Sequence, residues 1–255
     1  MAEPVEVIRA AALGLVPHGF LGRRGGVSTG LVAGLNAGLG SGDDESDVAE
    51  NRARAAAAVL PGAGLVGVYQ VHSPICVAVS APWADNRRPE GDALVTNRRG
   101  ILLGIVTADC APVLLADKAA GVIGAAHAGW KGALGGVTDN CIVAMEVLGA
   151  RRSHIVAAIG PCIAQASYEV DEGFASRFAE AKAANARFFG AGRAGHRQFD
   201  LEGYVASRLI AAGIGQVECL GLDTLSAANR FYSYRRATLV GEPAYGRQIS
   251  LIGLN

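Results

Sequence analysis

Two histidines and a cysteine stand out in this 255-residue chain: His72, Cys110 and His127, separated by 38 and then 17 residues. His72 ends an apolar run from Leu65 to Val71, Cys110 follows the run Ile101 to Thr107, and His127 follows the run Val122 to Ala126. Runs of this length rich in Val and Ile read as strands. Side chains at neighbouring strand ends can converge on one cleft. Two imidazoles and a thiol brought together would suit a catalytic zinc site, three protein ligands with a fourth position open. The spacing matches no local metal motif. A cysteine among Ala108, Ala111 and Pro112 also reads as a small core residue, and a strand-end histidine as an ordinary hydrogen-bonded one.

Other candidates surround this set. Asp109, beside Cys110, reads either as a partner that orients a ligand or as a turn-former. Arg24 and Lys131 sit in glycine-rich turns (Arg23-Arg24-Gly25-Gly26 and Ala128-Gly129-Trp130-Lys131-Gly132), where a cation and backbone N–H groups could hold an anion such as phosphate. The run Phe231-Tyr232-Ser233-Tyr234-Arg235-Arg236 offers rings to stack a planar group and guanidinium groups to bind an anion, or else forms a plain edge strand. His18, after Pro17, could reach the same cleft. His154 and His196 read as solvated, Cys76, Cys141 and Cys219 as core, and Cys162 as core more readily than as part of the site.

The elements that must position these groups alternate along the whole chain. Asp43 to Leu60 reads as a helix capped by Ser46, Gly135 to Leu148 as a helix with one apolar face, and Asp171 to Ala184 as another. A further helix begins at Asp200 and is closed by Gly213. Strands are expected at Ile75 to Val79, Pro112 to Ala116, Ile155 to Ile159, Val217 to Leu220 and Gln248 to Leu251 in addition to the three runs above, and a mobile loop at Gly190 to Gln198. No linker, repeat or low-complexity block interrupts the pattern, so one α/β or α+β domain over residues 1–255 is expected.

Composition narrows the function classes. Twenty-three basic residues balance 23 acidic ones, which gives no field to attract nucleic acid or a membrane surface. The apolar stretch from Ile101 to Ala126 is cut by Asp109, Asp117 and Lys118, so no membrane span is expected. Five cysteines without a CxxC, and acidic residues at the start where a signal peptide needs basic ones, fit a reducing, cytoplasmic setting. The 35 glycines suggest tight turns and loops that let a ligand approach the backbone.

The ordered strings Pro17-His18-Gly19-Phe20, Arg24-Gly25-Gly26-Val27-Ser28, Leu35-Asn36, Gly42-Asp43-Asp44, Glu50-Asn51-Arg52, Gln70-Val71-His72 and Gly91-Asp92-Ala93-Leu94-Val95-Thr96 carry a resemblance. It continues through Thr107-Ala108-Asp109-Cys110-Ala111-Pro112, Ala126-His127-Ala128-Gly129-Trp130-Lys131, Ile159-Gly160-Pro161-Cys162 and Phe231-Tyr232-Ser233-Tyr234-Arg235-Arg236. The chain resembles the YfiH-like family, also described as multicopper polyphenol oxidase (laccase) domain proteins and as purine nucleoside phosphorylases. The resemblance implies an α+β layered sandwich of mixed sheets flanked by helices, related to Cys-His hydrolase folds. It implies His72, Cys110 and His127 as metal ligands, zinc or alternatively copper, and pocket-facing roles for Arg24, Asn36 and Arg235. Lys131 stands where many relatives have arginine, and Asp223-Thr224 where they often have Cys-Thr.

Three activities follow from this resemblance. The first is phosphorolysis of purine nucleosides (adenosine, inosine, guanosine or methylthioadenosine), with Arg24, Lys131 and Arg235 as phosphate holders and adenosine deamination as a side activity. The second is copper-dependent polyphenol oxidation, although five histidines cannot build a multicopper cluster in a monomer. The third is a metal-independent hydrolase with Cys110 as nucleophile and His127 or His72 as base, acting on an ester, an amide or a cell-wall precursor in peptidoglycan editing. Oligomeric state is left open.

Overall fold

A computed structural model describes residues 3–255; Met1 and Ala2, part of the chain start read above, lie outside the described residues. The chain forms an α+β stack of two mixed sheets with helices on both outer faces. The first sheet has the order β1 (Val7–Ile8), β2 (His18–Leu21), β14 (Gln248–Gly253), β6 (Ile101–Thr107) and β3 (Gly64–Val66). Its neighbours are antiparallel except β3 with β6. The second has the order β13 (Gln216–Cys219), β9 (Val156–Ile159), β7 (Ala111–Asp117), β8 (Val122–Ala128), β5 (Ala93–Thr96) and β4 (Cys76–Ala78). Here the outermost pair on each side is parallel and the rest antiparallel.

Strand alternation explains the stack. Successive side chains point to opposite faces. Leu103 and Ile105 of β6 meet Leu114 and Ala116 of β7, with Phe20 and Ile123, between the sheets. Leu102 faces outward with Ile249 and Leu251, under Ala55 and Val59 of α1 (Glu45–Val59). On the far side Val113 and Leu115 lie under Cys141 and Met145 of α3 (Val137–Val147) and Val205 and Leu209 of α5 (Leu201–Ala211). Because both faces are covered, these strands are apolar throughout.

A third, small sheet of β10 (Glu169–Asp171), β12 (His196–Phe199) and β11 (Phe189–Ala191) sits beside α4 (Glu172–Ala181). It occupies most of the span expected as a mobile loop: β11 and β12 pair as a hairpin, and Phe199 stacks on Phe189 with ring centroids 4.8 Å apart.

Other expectations shift in detail. Helix α1 is capped by Asp44, which accepts from the Ser46 N–H at 2.7 Å, so Ser46 is inside the helix. The helix expected from Gly135 to Leu148 is α3, which begins two residues later at Val137; Gly136 at φ 94 separates it from a short preceding helix, α2 (Trp130–Gly135). The run at Phe231 forms no strand: Ser233 caps α6 (Tyr234–Val240). His18 lies in β2, wholly buried, its Nε2 accepting from the Ala10 N–H and its Nδ1 2.7 Å from the Val16 carbonyl, so it does not reach a cleft. Cys219 is exposed and Cys76 only half-buried, whereas Cys141 and Cys162 are core. The run Leu65 to Val71 is strand only as far as Val66, for a reason that belongs to the site.

Candidate metal centre

Beyond β3 the backbone turns around one carboxylate. Asp92 accepts from the N–H groups of Val71, His72 and Ser73 at 3.2, 3.0 and 2.6 Å and from the Ser73 hydroxyl at 2.8 Å. Those N–H groups are thereby satisfied without a neighbouring strand. His72 takes a left-handed conformation there, φ 60. The Gln70 amide clasps Val106 of β6, donating to its carbonyl and accepting from its N–H, both at 2.8 Å. This side chain ties the His72 segment to the first sheet.

Cys110 stands in the turn where the chain passes from β6 of the first sheet to β7 of the second. Asp109 before it is also left-handed, φ 83. Its carboxylate points away from Cys110 and accepts from Thr224 Oγ1 at 2.6 Å, Ser233 Oγ at 3.0 Å and the Arg235 N–H at 2.6 Å. Asp109 therefore anchors the turn to the α6 segment. Asp223 accepts from the Ala164 N–H and the Ser167 hydroxyl and organises the neighbouring loop.

His127 lies inside β8, buried, with its Nδ1–H donating to Asp92 Oδ1 at 2.8 Å. This bond leaves Nε2 with its lone pair for the cluster. Asp92 thus positions two of the three candidate ligands at once: the His72 backbone and the His127 ring.

The donor atoms of His72, Cys110 and His127 all lie within 4.8 Å of one another, with Cys110 Sγ 3.9 Å from His72 Nε2. The imidazoles meet edge-on, centroids 4.8 Å apart at 73°. A Cβ on Gly129 would come 2.8 Å from Cys110 Sγ and 3.0 Å from His72 Cδ2, so glycine keeps the space among the donors clear. Two nitrogens and a sulfur, one imidazole held in the right tautomer and His72 exposed to solvent, fit an ion that keeps an open position. Burial pushes the Cys110 thiol up, but His127 and His72 beside it outweigh burial and bring it down to about 6. Burial likewise works against a charged His127, yet Cys110 and Asp92 raise it to about 9. Asp92, opposed by burial, is held at about 2 by His127 and Ser73.

Two clefts meet at this cluster, sharing His72, Ala108 and Cys110 as wall. One, of about 310 Å³, runs past Thr107 to Arg52, Arg88 and Arg247. The other, of about 290 Å³, carries Trp130, Lys131, Tyr168 and Arg235. Both are at the lower end of small-molecule sites, about 300–1,000 Å³. Arg235 lies over the Tyr168 ring at 5.3 Å and donates to the Glu169 carbonyl, while Lys131 Nζ is 5.5 Å from the Trp130 ring.

Arg24 and Asn36 line neither cleft. Arg24 donates to the Asn229 carbonyl and lies 3.9 Å from Glu6. Asn36 is fully buried, its amide nitrogen donating to Ser41 and Asp43 and its oxygen accepting from the Gly38 and Arg247 N–H groups. Sequence reasoning gave no role to Asp92, Gln70, Thr107 or Arg247, although the first three fall inside the strings that carry the resemblance.

A family model described as multi-copper polyphenol oxidoreductase laccase matches residues 17–255. The chain belongs to this YfiH-like family. Among curated relatives, the YfiH-like chain is 44% identical to a purine nucleoside phosphorylase of Deinococcus radiodurans, over 99% of this chain and 94% of the relative. It is 40% identical to one of Streptomyces griseus, over 92% and 95%. Among solved structures, a Neisseria meningitidis protein superposes with a TM-score of 0.88 at 31% identity, covering 98% of this chain and 99% of that one. YlmD from Geobacillus stearothermophilus gives 0.88 at 28% identity, covering 100% and 97%.

In this YfiH-like chain, His72, Cys110 and His127 are the one group of three or more His, Cys, Asp or Glu donors close enough to share an ion among the described residues. Of the other histidines, His18 is buried in β2, and neither His154 nor His196 belongs to a group of three or more donors close enough to share an ion among the described residues. No described helix is long and apolar enough to cross a membrane.

Proposed function

We propose that this chain, acting as one domain over residues 1–255, is a metal-dependent purine nucleoside phosphorylase. The observation that carries the reading is the meeting of two cation-bearing clefts at one three-donor cluster. A reaction that joins two substrates at one carbon needs each of them on its own side of that carbon. The name borne by the Deinococcus radiodurans and Streptomyces griseus relatives supports the same reading.

In this reaction an oxygen of phosphate bonds to C1′ of adenosine, inosine, guanosine or methylthioadenosine as the bond from C1′ to the base nitrogen breaks. The base keeps the electron pair and takes up a proton; the sugar leaves as its 1-phosphate. Positive charge builds on the sugar on the way, so an anion held beside it lowers the barrier. His72, Cys110 and His127 would hold the metal, zinc for its fit to this donor set or alternatively copper, and its chemistry there is that of a Lewis acid. Asp92 keeps the His127 proton on Nδ1, and Asp109 fixes the turn that presents Cys110. Trp130 and Tyr168 offer planar faces to a purine, with Lys131 and Arg235 beside them for the ribose oxygens of the nucleoside. Water in place of phosphate, bonding to the amino-bearing carbon of the purine ring as its C–N bond breaks and ammonia leaves, would account for adenosine deamination as a side activity.

The test is inosine incubated with the metal-loaded protein, with and without phosphate. Hypoxanthine and ribose 1-phosphate should appear only with phosphate; base release that ignores phosphate would sink the reading.

A second reading rests on the lowered thiol: Asp92, His127 and Cys110 are ordered as orienter, base and nucleophile. Such a hydrolase would attack an ester, an amide or a cell-wall precursor. Chelation would leave it active, whereas alkylation of Cys110 would abolish it.

A further inference from the structure

The cleft that runs past Thr107 holds groups the sequence reading gave no role. Thr107 ends β6 and is 2% exposed, and its Oγ1 has no hydrogen-bond partner among the described residues. A buried hydroxyl without a partner is costly, and such groups in folded proteins usually await a ligand or water. Thr107 pairs across the sheet with Gln248, the residue after Arg247. Thr107 and Arg247 both line this cleft.

The charge in that cleft is unbalanced. Arg52 pairs with Asp85 at 3.0 Å. Arg247 and Arg88 have no carboxylate within 4.0 Å among the described residues. Arg247 meets only the Tyr245 hydroxyl at 3.4 Å and lies over that ring at 5.0 Å; Arg88 donates its Nε–H to the Asp85 carbonyl and leaves its other N–H groups free. Guanidinium groups with unused forks and an orphan hydroxyl are suited to a tetrahedral oxyanion. The other cleft carries Lys131 and Arg235, the latter donating to the Glu169 carbonyl and lying over Tyr168, with the Trp130 and Tyr168 rings as walls.

We infer that Thr107, Arg88 and Arg247 form the subsite for the attacking phosphate, and that the nucleoside lies across the cluster between Trp130 and Tyr168. The inference rests on the phosphorylase reading for the identity of the anion. It gives Asn36 a task as well. Asn36 accepts the Arg247 N–H at 2.9 Å and the Gly38 N–H at 3.1 Å. A Cβ on Gly38 would come 3.1 Å from Cβ, Cγ and one terminal nitrogen of Arg247. Asn36 is thus a positioning residue that acts through Arg247, without touching substrate.

The experiment is calorimetric titration of inorganic phosphate into the metal-loaded protein without nucleoside, for wild type and four variants. Thr107→Val should weaken binding at least about tenfold, the loss of one hydrogen bond to a charged acceptor, and Thr107→Ser should stay within about twofold of wild type. Arg247→Met should weaken it at least about tenfold. Lys131→Met, on the other side of the cluster, should leave phosphate affinity within about twofold and weaken nucleoside binding instead. The proposal is overturned when wild type binds no phosphate, when Thr107→Val and Arg247→Met bind it as wild type does, or when Lys131→Met loses as much as Arg247→Met. Melting temperatures separate loss of binding from loss of fold. The inosine assay separates this inference from the activity it rests on: phosphate bound at Arg247 together with phosphate-independent base release would overturn the phosphorylase reading and leave the oxyanion site standing.

Discussion

Asp92 accepts two hydrogen bonds on Oδ1, from the His72 N–H and His127 Nδ1, and three on Oδ2. Its lone pairs are spent on holding candidate ligands, and none is left for an ion. Asp92→Asn should lower metal affinity about 10–100-fold, read by competition with a chelator. The amide must also turn its NH2 towards one set of buried donors, so the melting temperature should fall too. Metal affinity equal to wild type would mean that His127 orients itself. Sequence reasoning gave this orienting role to Asp109 because it adjoins Cys110. In the left-handed turn at Asp109 its carboxylate is instead taken up by Thr224 and Ser233. The residue that does orient a ligand is 35 positions from His127, and nothing local in Gly91-Asp92-Ala93 marks it. A second prediction concerns the thiol. In metal-free protein the folded thiol is lowered to about 6, so its reactive thiolate gains as pH rises through that value. Iodoacetamide labelling of Cys110 should therefore be half-maximal near pH 6, and bound metal should suppress it. A midpoint near 9 would show that the imidazoles do not stabilise the thiolate.

At the scale of elements, the long strands were legible and the short ones beside the site were not. The runs at Ile101–Thr107 and Val122–Ala128 are apolar on both faces and stand out in the sequence. The Leu65 to Val71 run looks the same, but only Gly64–Val66 is strand, because side chains of Gln70 and Asp92 take over the work of a neighbouring backbone. Likewise, the apolar face read from Gly135 to Leu148 corresponds to α3, whereas the short helix α2 before it, ended by Gly136, has no such face to mark it. The passage from β8 into α2 is the tightest of these junctions. Gly129 caps α2 with φ −68, a conformation open to any residue, so its need for glycine is one of space. Gly129→Ala would press a methyl group against Cys110 Sγ and His72 Cδ2. The displaced atoms belong to the cluster rather than the core, so metal affinity should fall at least about tenfold while the urea midpoint of the metal-free protein changes little. A large drop in that midpoint would place the cost in the fold instead.

For the whole molecule, the layering could be read from sequence but the strand order could not. Continuous apolar strands imply two covered faces, and the helices between them supply the covers. That β14, close to the chain's end, would slot between β2 and β6 is a long-range pairing with no local mark. The small third sheet was missed for the opposite reason: its strands are short and polar, and its apolar anchor is the Phe189–Phe199 stack. The same topology decides where the three donors stand. His72 lies between β3 of one sheet and β4 of the other, Cys110 on the crossing from β6 to β7, and His127 within the second sheet. An ion held by all three would act as a clasp between the layers, closing loops of chain much as a disulfide does. Metal that binds the folded form alone adds about 2.7 kcal/mol at a hundred times its dissociation constant. The melting temperature should therefore climb with free metal and drop on chelation, and His72→Ala should lose most of that dependence. Metal supply would then set how long the protein survives as well as how fast it turns over.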